Sequence, residues 1–250
     1  MLKDSQDAFG HQLYDLYKGR RVVEVVERDD GLIDPSQDLP RYYLSEYRNW
    51  NTREKVAAKY VKGRVLDIGC GGGRWSLYLQ KKGHDVLGID YSPLVVKVCK
   101  LRGLRNVMVK SITEVDSRLG RFDTILMMGN NFGLFGGPKR ARQLLKRFYN
   151  MTSPEAQIIA ESVDVYRRPI SPWHKRYHNW NRRRGRMPGE VRIRIRYLTY
   201  ASPWFDYLLV SRPEMAEILH GTGWKIKRFI LSKKGPAYVA VIEKEKNRGS

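Results

Sequence analysis

The sequence predicts an α/β fold in which strands and helices alternate around a doubly wound, seven-stranded sheet. An apolar strand at 64–69 runs into the glycine-rich stretch 69–73 and then into a helical pattern. A second apolar strand at 85–90 ends on Asp90. Strands and helices continue to alternate as far as residue 163, which is typical of a parallel sheet whose ligand lies at the carboxyl ends of its strands.

Hydrophobic periodicity and turn residues define the predicted elements. The core has strands at 64–69, 85–90, 106–110, 122–128 and 156–163 and helices at 73–82, 93–102 and 138–149. A helix at 213–221 starts at Pro213, and strands 224–231 and 236–243 form a hairpin around 233–236. Nearer the start we predict helices at 8–18 and 52–61, a strand at 21–26 and acidic turns at 28–38.

The glycine-rich stretch and Asp90 together predict a site for a nucleoside-containing cofactor. Glycines let backbone N–H groups approach a ligand, and an acid at the tip of the second strand can accept hydrogen bonds from ribose hydroxyls. The glycines are spaced G-x-G-x-G, whereas a dinucleotide site normally has G-x-G-x-x-G. An NAD site and a purely structural turn remain the alternatives.

The spacing of Asp67, Gly69, Gly71 and Gly73 resembles the first motif, D-x-G-x-G-x-G, of the class I S-adenosylmethionine-dependent methyltransferases. The resemblance covers about 65–161 and implies a Rossmann-like fold with S-adenosyl-L-methionine as the cofactor. Many family members carry an acid after the third strand, where this chain has Ser111. No metal site is expected. The residues predicted to hold the cofactor are Asp67, Gly69, Cys70, Gly71, Asp90, Tyr91, Ser111, Ile112 and Met128.

The stretch 129–132, Gly-Asn-Asn-Phe, follows the fourth strand, where this family faces the transferred methyl group. It resembles a proline-free form of the (D/N/S)-P-P-(Y/F/W) motif of nucleic-acid amino-methyltransferases, and also the G-N-x-F segment of glycine-type small-molecule N-methyltransferases. A base amine is a poor nucleophile, so hydrogen-bond acceptors and a stacking ring would assist it. Asn130, Asn131 and Phe132 are therefore the predicted catalytic residues. Asparagines that only cap the loop are the alternative.

Composition and charge narrow the class of protein. The chain has 250 residues, 42% of them hydrophobic, which is enough for a sizeable core. It has no apolar run long enough to cross a bilayer and no signal-type N-terminal segment, and its two cysteines predict no disulfide framework. We expect a soluble, cytoplasmic protein with no membrane partner.

The formal net charge is +21, and it is unevenly distributed. Residues 1–50 carry seven Lys/Arg against ten Asp/Glu, whereas residues 139–212 carry seventeen against five. Arginines mixed with aromatic rings suit single-stranded or looped RNA. The predicted RNA-binding residues are Arg167, Arg168, Lys175, Arg176, Arg182, Arg183, Arg184, Arg186, Arg192, Arg194 and Arg196, interleaved with Tyr166, Trp173, His174, Tyr177, His178 and Trp180.

Part of this basic region is predicted to be a β-hairpin inserted into the fold. Residues 191–197 alternate strictly, so a strand there would put three arginines on one face, and 204–210 could pair back on it. The chain then divides into an N-terminal extension (1–50), a cofactor-binding core (51–163), a basic insertion (164–211) and the C-terminal end of the core (212–250). A solvated, charged lid over a small-molecule site is the alternative reading of the insertion.

The leading functional hypothesis is an RNA methyltransferase that modifies an exocyclic base amine, with N4 of cytosine slightly ahead of N6 of adenine. Structured RNA such as ribosomal RNA, or a ribosomal subunit, would be its partner. The alternative is a small-molecule N-methyltransferase with the insertion as a substrate lid. A non-catalytic RNA-binding factor and protein methylation also remain open, and the sequence makes no prediction of oligomeric state.

Overall fold

The computed structural model describes residues 2–37, 39–167, 171–232 and 235–245. The strands are β1 (Glu24–Arg28), β2 (Ile33–Ser36), β3 (Val65–Ile68), β4 (Val86–Asp90), β5 (Val107–Val109), β6 (Phe122–Met127), β7 (Thr152–Val163), β8 (Glu190–Tyr197), β9 (Tyr200–Ala201), β10 (Phe205–Leu208), β11 (Trp224–Leu231) and β12 (Ala237–Lys244). The α-helices are α1 (Ala8–Tyr17), α2 (Leu39–Tyr43), α3 (Thr52–Ala58), α4 (Arg74–Lys81), α5 (Pro93–Leu101), α6 (Pro138–Asn150), α7 (Pro172–Arg183) and α8 (Arg212–Leu219).

The main sheet has seven strands in the order β11-β12-β7-β6-β3-β4-β5. Neighbouring strands from β7 through β5 are parallel, whereas β12 runs antiparallel to both β7 and β11. This confirms the predicted α/β, Rossmann-like, doubly wound sheet. The turn between β11 and β12 includes residues 233 and 234, which lie outside the described part of the chain.

The position of β3 fixes where a ligand can bind. Its side chains are buried on both faces, with Leu66 and Ile68 packed in one apolar cluster and Val65 in another. The strand lies between β4 and β6, so the chain leaves it in one direction towards β5 and later returns on its other side through β6 and β7. Such a switch point opens a crevice at the carboxyl ends of the strands.

A second sheet has the order β10-β8-β1-β2, with β9 paired to the end of β8, and all its pairs are antiparallel. In the register of β1 and β8, Val26 faces Ile195 and Glu27 faces Arg194. The strand predicted at 21–26 is thus shifted to β1, and β2 occupies the segment predicted as acidic turns. β1 depends on pairing with the distant strand β8, which local sequence does not report, and β2 pairs in turn with β1.

The predicted basic β-hairpin is part of a larger sheet. β8 does pair with β10, but its other edge pairs with β1 from the N-terminal extension. The segment also contains α7, which the sequence analysis did not predict. Its buried residues Tyr177, His178 and Asn181 make a narrow face on an otherwise charged helix, so it lacks a clear apolar stripe. The division of the chain into four segments stays a prediction.

No helix among the described residues combines the length and apolar character needed to traverse a lipid bilayer.

Candidate active site

The glycine turn between β3 and α4 leaves room for a ligand. Gly69 and Gly71 both have positive φ values, of 68° and 52°. A Cβ on Gly69 would lie 2.7 Å from the side-chain nitrogen of Asn131, whereas a Cβ on Gly71 would meet no atom within 4 Å. Gly69 thus allows the β6 loop to pack against the turn, and Gly71 faces open space.

Two buried carboxylates flank this turn at the tips of β3 and β4. Asp67 accepts a hydrogen bond from the Ser76 hydroxyl at 2.6 Å. Asp90 accepts from the backbone N–H of Gly71 and of Ser92, each at 3.1 Å. Burial raises the pKa of both Asp67 and Asp90 to about 6, because desolvation disfavours the charged form.

These pKa values predict how cofactor binding depends on pH. We expect the affinity for S-adenosylhomocysteine to fall about tenfold between pH 7.5 and pH 5, because only about a tenth of a carboxyl group with a pKa of 6 stays ionised there. Calorimetric titration at several pH values across this range measures the change in affinity. Asp90→Asn should flatten the profile. Asp116→Asn, at a partly exposed carboxyl whose pKa the hydrogen bond from Arg118 lowers to about 2, should leave it unchanged.

Unfolding does not account for this predicted loss of affinity. The folded-state pKa values of Asp67 and Asp90 exceed the ordinary 3.8, so the folded protein binds protons more readily than the unfolded chain between pH 4 and pH 6. Their contribution to stability is complete below about pH 4 and is lost as the pH rises through 6. A profile that stays flat down to pH 5 would contradict the predicted role of Asp90.

The remaining predicted cofactor residues lie around the same space. All nine line one cavity of about 870 Å³, which is within the usual range for small-molecule and cofactor sites. The Cys70 and Cys99 thiols are free and 4.0 Å apart, and Cys99 donates to the Gly71 carbonyl at 3.0 Å. Ser111 caps a short helical turn that begins at Ile112. That these residues bind the cofactor remains a prediction.

Two arginines that sequence reasoning missed also line this cavity. Arg53 pairs with Glu161 and Arg74 with Glu54, and all four side chains are largely buried. The Nε of Arg53 and one terminal nitrogen of Arg74 are buried, and neither has an acceptor among the described residues. A buried N–H without a partner is costly. S-adenosylmethionine carries a carboxylate that suits such donors, so Arg53 and Arg74 fit the predicted cofactor.

The predicted catalytic residues have three different environments. The side-chain oxygen of Asn130 is buried without a partner among the described residues, and Asn130 lines the cavity in a left-handed conformation. Asn131 also lines it, but its amide donates to the carbonyls of Ile68 and Gly69 and so holds the glycine turn. Phe132 is fully buried, packs against Phe135 at 5.0 Å and does not line the cavity. The prediction that Phe132 stacks on a base is therefore wrong.

The second sheet closes the cavity over these strand tips. Val26, Ile193, Ile195 and Phe205 contribute apolar side chains. The hydroxyl of Tyr207, on β10, donates to the Asn130 carbonyl at 2.7 Å and ties the sheet to the loop after β6. None of these residues was predicted as part of the site, since they come from segments read as strands of an RNA-binding surface or of the N-terminal extension.

Several of the predicted RNA-binding residues have acidic or aromatic partners within the protein. Arg194 and Arg196 both pair with Glu27, and Arg186 and Arg192 lie near Asp206. Arg184 stacks on Trp180 at 3.3 Å. The predicted residues that are exposed are Arg167, Lys175, Arg176, Arg182, Arg183, Arg184, Arg192 and Arg196, and Arg168 lies outside the described residues.

Two of the predicted stacking aromatics are not available to a ligand. Tyr177 is 1% exposed, and its hydroxyl donates to Asp29 at 2.7 Å. His178 is also buried, and burial lowers its pKa. Neither ring can stack on a base, so this part of the prediction is wrong. Of the other aromatics, Tyr166, Trp173 and Trp180 are exposed.

Comparison with known proteins supports the identity of the core. Residues 65–155 match the family model described as a methyltransferase domain. The chain is 27% identical to a glycine/sarcosine N-methyltransferase of Halorhodospira halochloris over 53% of this chain and 52% of that protein. It is 40% identical to a 2-heptyl-1-hydroxyquinolin-4(1H)-one methyltransferase of Mycobacteroides abscessus over 26% of this chain and 32% of that protein. The chain thus spans between a third and about half of these relatives.

A solved structure matches over almost the full length. It is an S-adenosylmethionine-dependent methyltransferase from Bacteroides fragilis in complex with S-adenosyl-L-homocysteine, with a TM-score of 0.81 and 25% identity over 98% of this chain and 97% of that one. This chain has the glycine turn and the Asp90 carboxylate at the tip of β4 that such a cofactor would contact. The chain therefore carries a class I, S-adenosylmethionine-dependent methyltransferase domain.

Proposed function

We propose that this protein methylates a nitrogen atom of a small molecule, and that the second sheet is the lid of the acceptor site. The observation that carries this proposal is the alternation of β8. Its Ile193 and Ile195 line the cavity, whereas Arg194 and Arg196 pair with Glu27. The apolar face of the sheet thus covers the acceptor space, and much of its positive charge is already balanced.

Nitrogen as the acceptor atom is supported by the polar groups at the tip of β6. The side-chain oxygen of Asn130 is buried without a partner in the described part of the chain, so it needs a hydrogen-bond donor, which an amine supplies. An amide oxygen accepts this bond without taking the proton, so it orients the nitrogen through the whole reaction. The relative that aligns with about half of this chain is named as an N-methyltransferase.

The RNA hypothesis receives less support from the same observations. The two relatives and the solved structure reported above name small molecules or no acceptor at all. Tyr177 and His178, two of the rings expected to stack on bases, are buried. The exposed basic residues of α7 lie outside the lining of the cavity, so an RNA held by them would still need to reach past the second sheet.

Different residues of the cavity would bind the methyl donor and the acceptor in such a reaction. When bound, S-adenosylmethionine supplies a methyl group on a positively charged sulfur. Asp90 would hold its ribose, Arg53 and Arg74 its carboxylate, and Asn130 the acceptor nitrogen. Tyr207 fixes the loop that carries Asn130. The apolar face of the second sheet would exclude water, which strengthens each of these polar contacts.

Methyl transfer from labelled S-adenosylmethionine tests the proposal. Small molecules below 1 kDa, total RNA and protein from the source organism, taken from cells that lack this protein, are offered as separate acceptors. We expect label in the small-molecule fraction, and in a methylated nitrogen when the product is analysed by mass spectrometry. The double variant Arg176→Glu, Arg183→Glu on the exposed side of α7 should retain this activity. Label in RNA alone, lost in that variant, would overturn the proposal and restore RNA as the partner.

A further inference from the structure

One buried carboxylate in the cavity has no role in the site described so far. Glu24 lies on β1, is 3% exposed and lines the cavity. Its side chain accepts hydrogen bonds from the amide of Gln12 at 3.1 Å and from the hydroxyl of Tyr43 at 3.2 Å. Within residues 2–37, 39–167, 171–232 and 235–245, no Lys, Arg or His forms an ion pair with it.

Two other buried glutamates near this cavity each have an arginine partner that balances their charge. Glu54 pairs with Arg74, and Glu161 pairs with Arg53. Burying a carboxylate without a cation costs free energy, because the charge loses its hydration. Burial accordingly raises the pKa of Glu24, and Asp34 raises it further, while the bonds from Gln12 and Tyr43 lower it in part. Such an unbalanced charge in a cavity is a candidate for a functional group.

Glu24 also lines the same cavity as Asn130, the residue proposed to orient the acceptor nitrogen. Tyr207 donates to the carbonyl of Asn130, and the charges of Glu161 and Glu24 both raise the pKa of the Tyr207 hydroxyl after burial has done so. Val26, two residues along β1, lines the cavity on the same side as Glu24. The cavity therefore combines a carboxylate, the Asn130 amide oxygen and an apolar wall.

We infer that the acceptor is a positively charged amine with an apolar body, and that Glu24 binds its ammonium group and accepts a proton from it before methyl transfer. This inference rests on the proposed function. Val26, Ile193 and Ile195 would contact the apolar body, while the amide oxygen of Asn130 accepts a hydrogen bond from the nitrogen.

The chemistry of this step balances without a further reactant. The ammonium N–H bond breaks, its proton moves to the Glu24 carboxylate, and the electron pair stays on nitrogen. The nitrogen then forms a bond to the methyl carbon as the carbon–sulfur bond breaks, and that electron pair remains on sulfur. The proton leaves Glu24 for solvent after the product departs. General bases of this kind typically contribute factors of about 10²–10⁴ in rate.

Side chains from four other elements surround Glu24 and affect its titration. Gln12 comes from α1, Tyr43 from α2, Asp34 from β2 and Tyr207 from β10. On β8, Arg196 lies opposite Val25 and pairs with Glu27, so its charge is directed to the other side of the sheet. Among the groups that act on Glu24, Asp34 is the other carboxylate.

Binding of two probes to the enzyme loaded with S-adenosylhomocysteine tests the inference. The probes are 2-phenylethylamine and 2-phenylethanol, which share an apolar body and differ in charge. We expect the amine to bind at least about tenfold more tightly at pH 7, as a charge-assisted hydrogen bond allows. Glu24→Gln should abolish this preference. Glu27→Gln, on the opposite face of the same strand, should retain it. Equal binding of both probes, binding of neither, or a preference that survives Glu24→Gln overturns the inference.

Turnover separates a proton acceptor from a residue that only shapes the cavity. With the labelled small-molecule acceptor, Glu24→Gln should lower kcat/KM about a hundredfold at pH 7. The deficit should shrink as the pH rises past about 10.4, where an alkylamine loses its proton to solvent without a base. A deficit that is constant with pH would show a structural role and overturn the inference alone, whereas transfer to RNA would overturn the proposed function itself. Unchanged affinity of Glu24→Gln for S-adenosylhomocysteine shows that the variant is folded.

Discussion

Replacing Asn130 with glycine is expected to lower kcat about a hundredfold while leaving the affinity for S-adenosylhomocysteine unchanged. The side-chain oxygen of Asn130, in the loop after β6, is buried and has no hydrogen-bond partner among the described residues. Its loss frees the acceptor nitrogen to rotate, and misplacement of a reacting atom by about 1 Å can cost a factor of 10². Single-turnover methyl transfer measures the rate, and calorimetry measures the affinity.

Glycine is the appropriate replacement because the backbone of Asn130 has φ of 65°. Glycine adopts this conformation without strain, whereas alanine adds a backbone penalty to the loss of the amide. The two variants should therefore lose activity equally and differ only in stability. If Asn130→Gly turned over at the wild-type rate, the amide would have no part in the reaction and the loop-capping alternative would be correct.

Replacing Arg74 with methionine is expected to destabilise the protein by about 3–5 kcal/mol, the usual cost of leaving one partner of a buried ion pair without the other. The Arg74 side chain is 6% exposed and that of Glu54 is 1% exposed. The guanidinium also lies over the rings of Tyr42 and Trp50, at 3.9 and 4.7 Å. Urea denaturation followed by circular dichroism measures the difference.

Two further variants isolate the charge from the packing. Adding Glu54→Gln to Arg74→Met removes the uncompensated charge but keeps a side chain that can cap α3, so the double variant should regain much of the lost stability. Arg118→Met removes an exposed partner of Asp116 and should not shift the denaturation midpoint measurably. A double variant no more stable than Arg74→Met would assign the loss to packing alone.

The main sheet and the grouping of the glycine turn with Asp90 at one edge of it could be predicted because their signals are local. The turn that begins at Gly69 and the acid at Asp90 each follow a short apolar strand, and the alternation of strand and helix fixes their position at one edge of the sheet. In each case, a few neighbouring residues determine the structure.

The acceptor side could not be predicted, because it depends on contacts between distant segments. Phe132 follows two asparagines, and nothing in that order says whether its ring points to the cavity or, as observed, into the core against Phe135. The arginines of β8 were recognised as one face of a strand. Their partner Glu27 lies 167 residues away from Arg194, so the charge balance was invisible. Glu24 and Tyr207 were missed for the same reason.

The ribosome synthesises the strands on the two sides of the cavity at different times. The strands that hold the glycine turn and Asp90 have been made by residue 163, whereas β8 and β10 follow only at residues 190–208. At about 5–20 residues per second, β1 waits roughly 10–30 s for its partner strand. Until then its edge is free to pair with other chains. The side of the cavity proposed to bind the methyl donor is thus assembled early in translation, and the side proposed to bind the acceptor is assembled late.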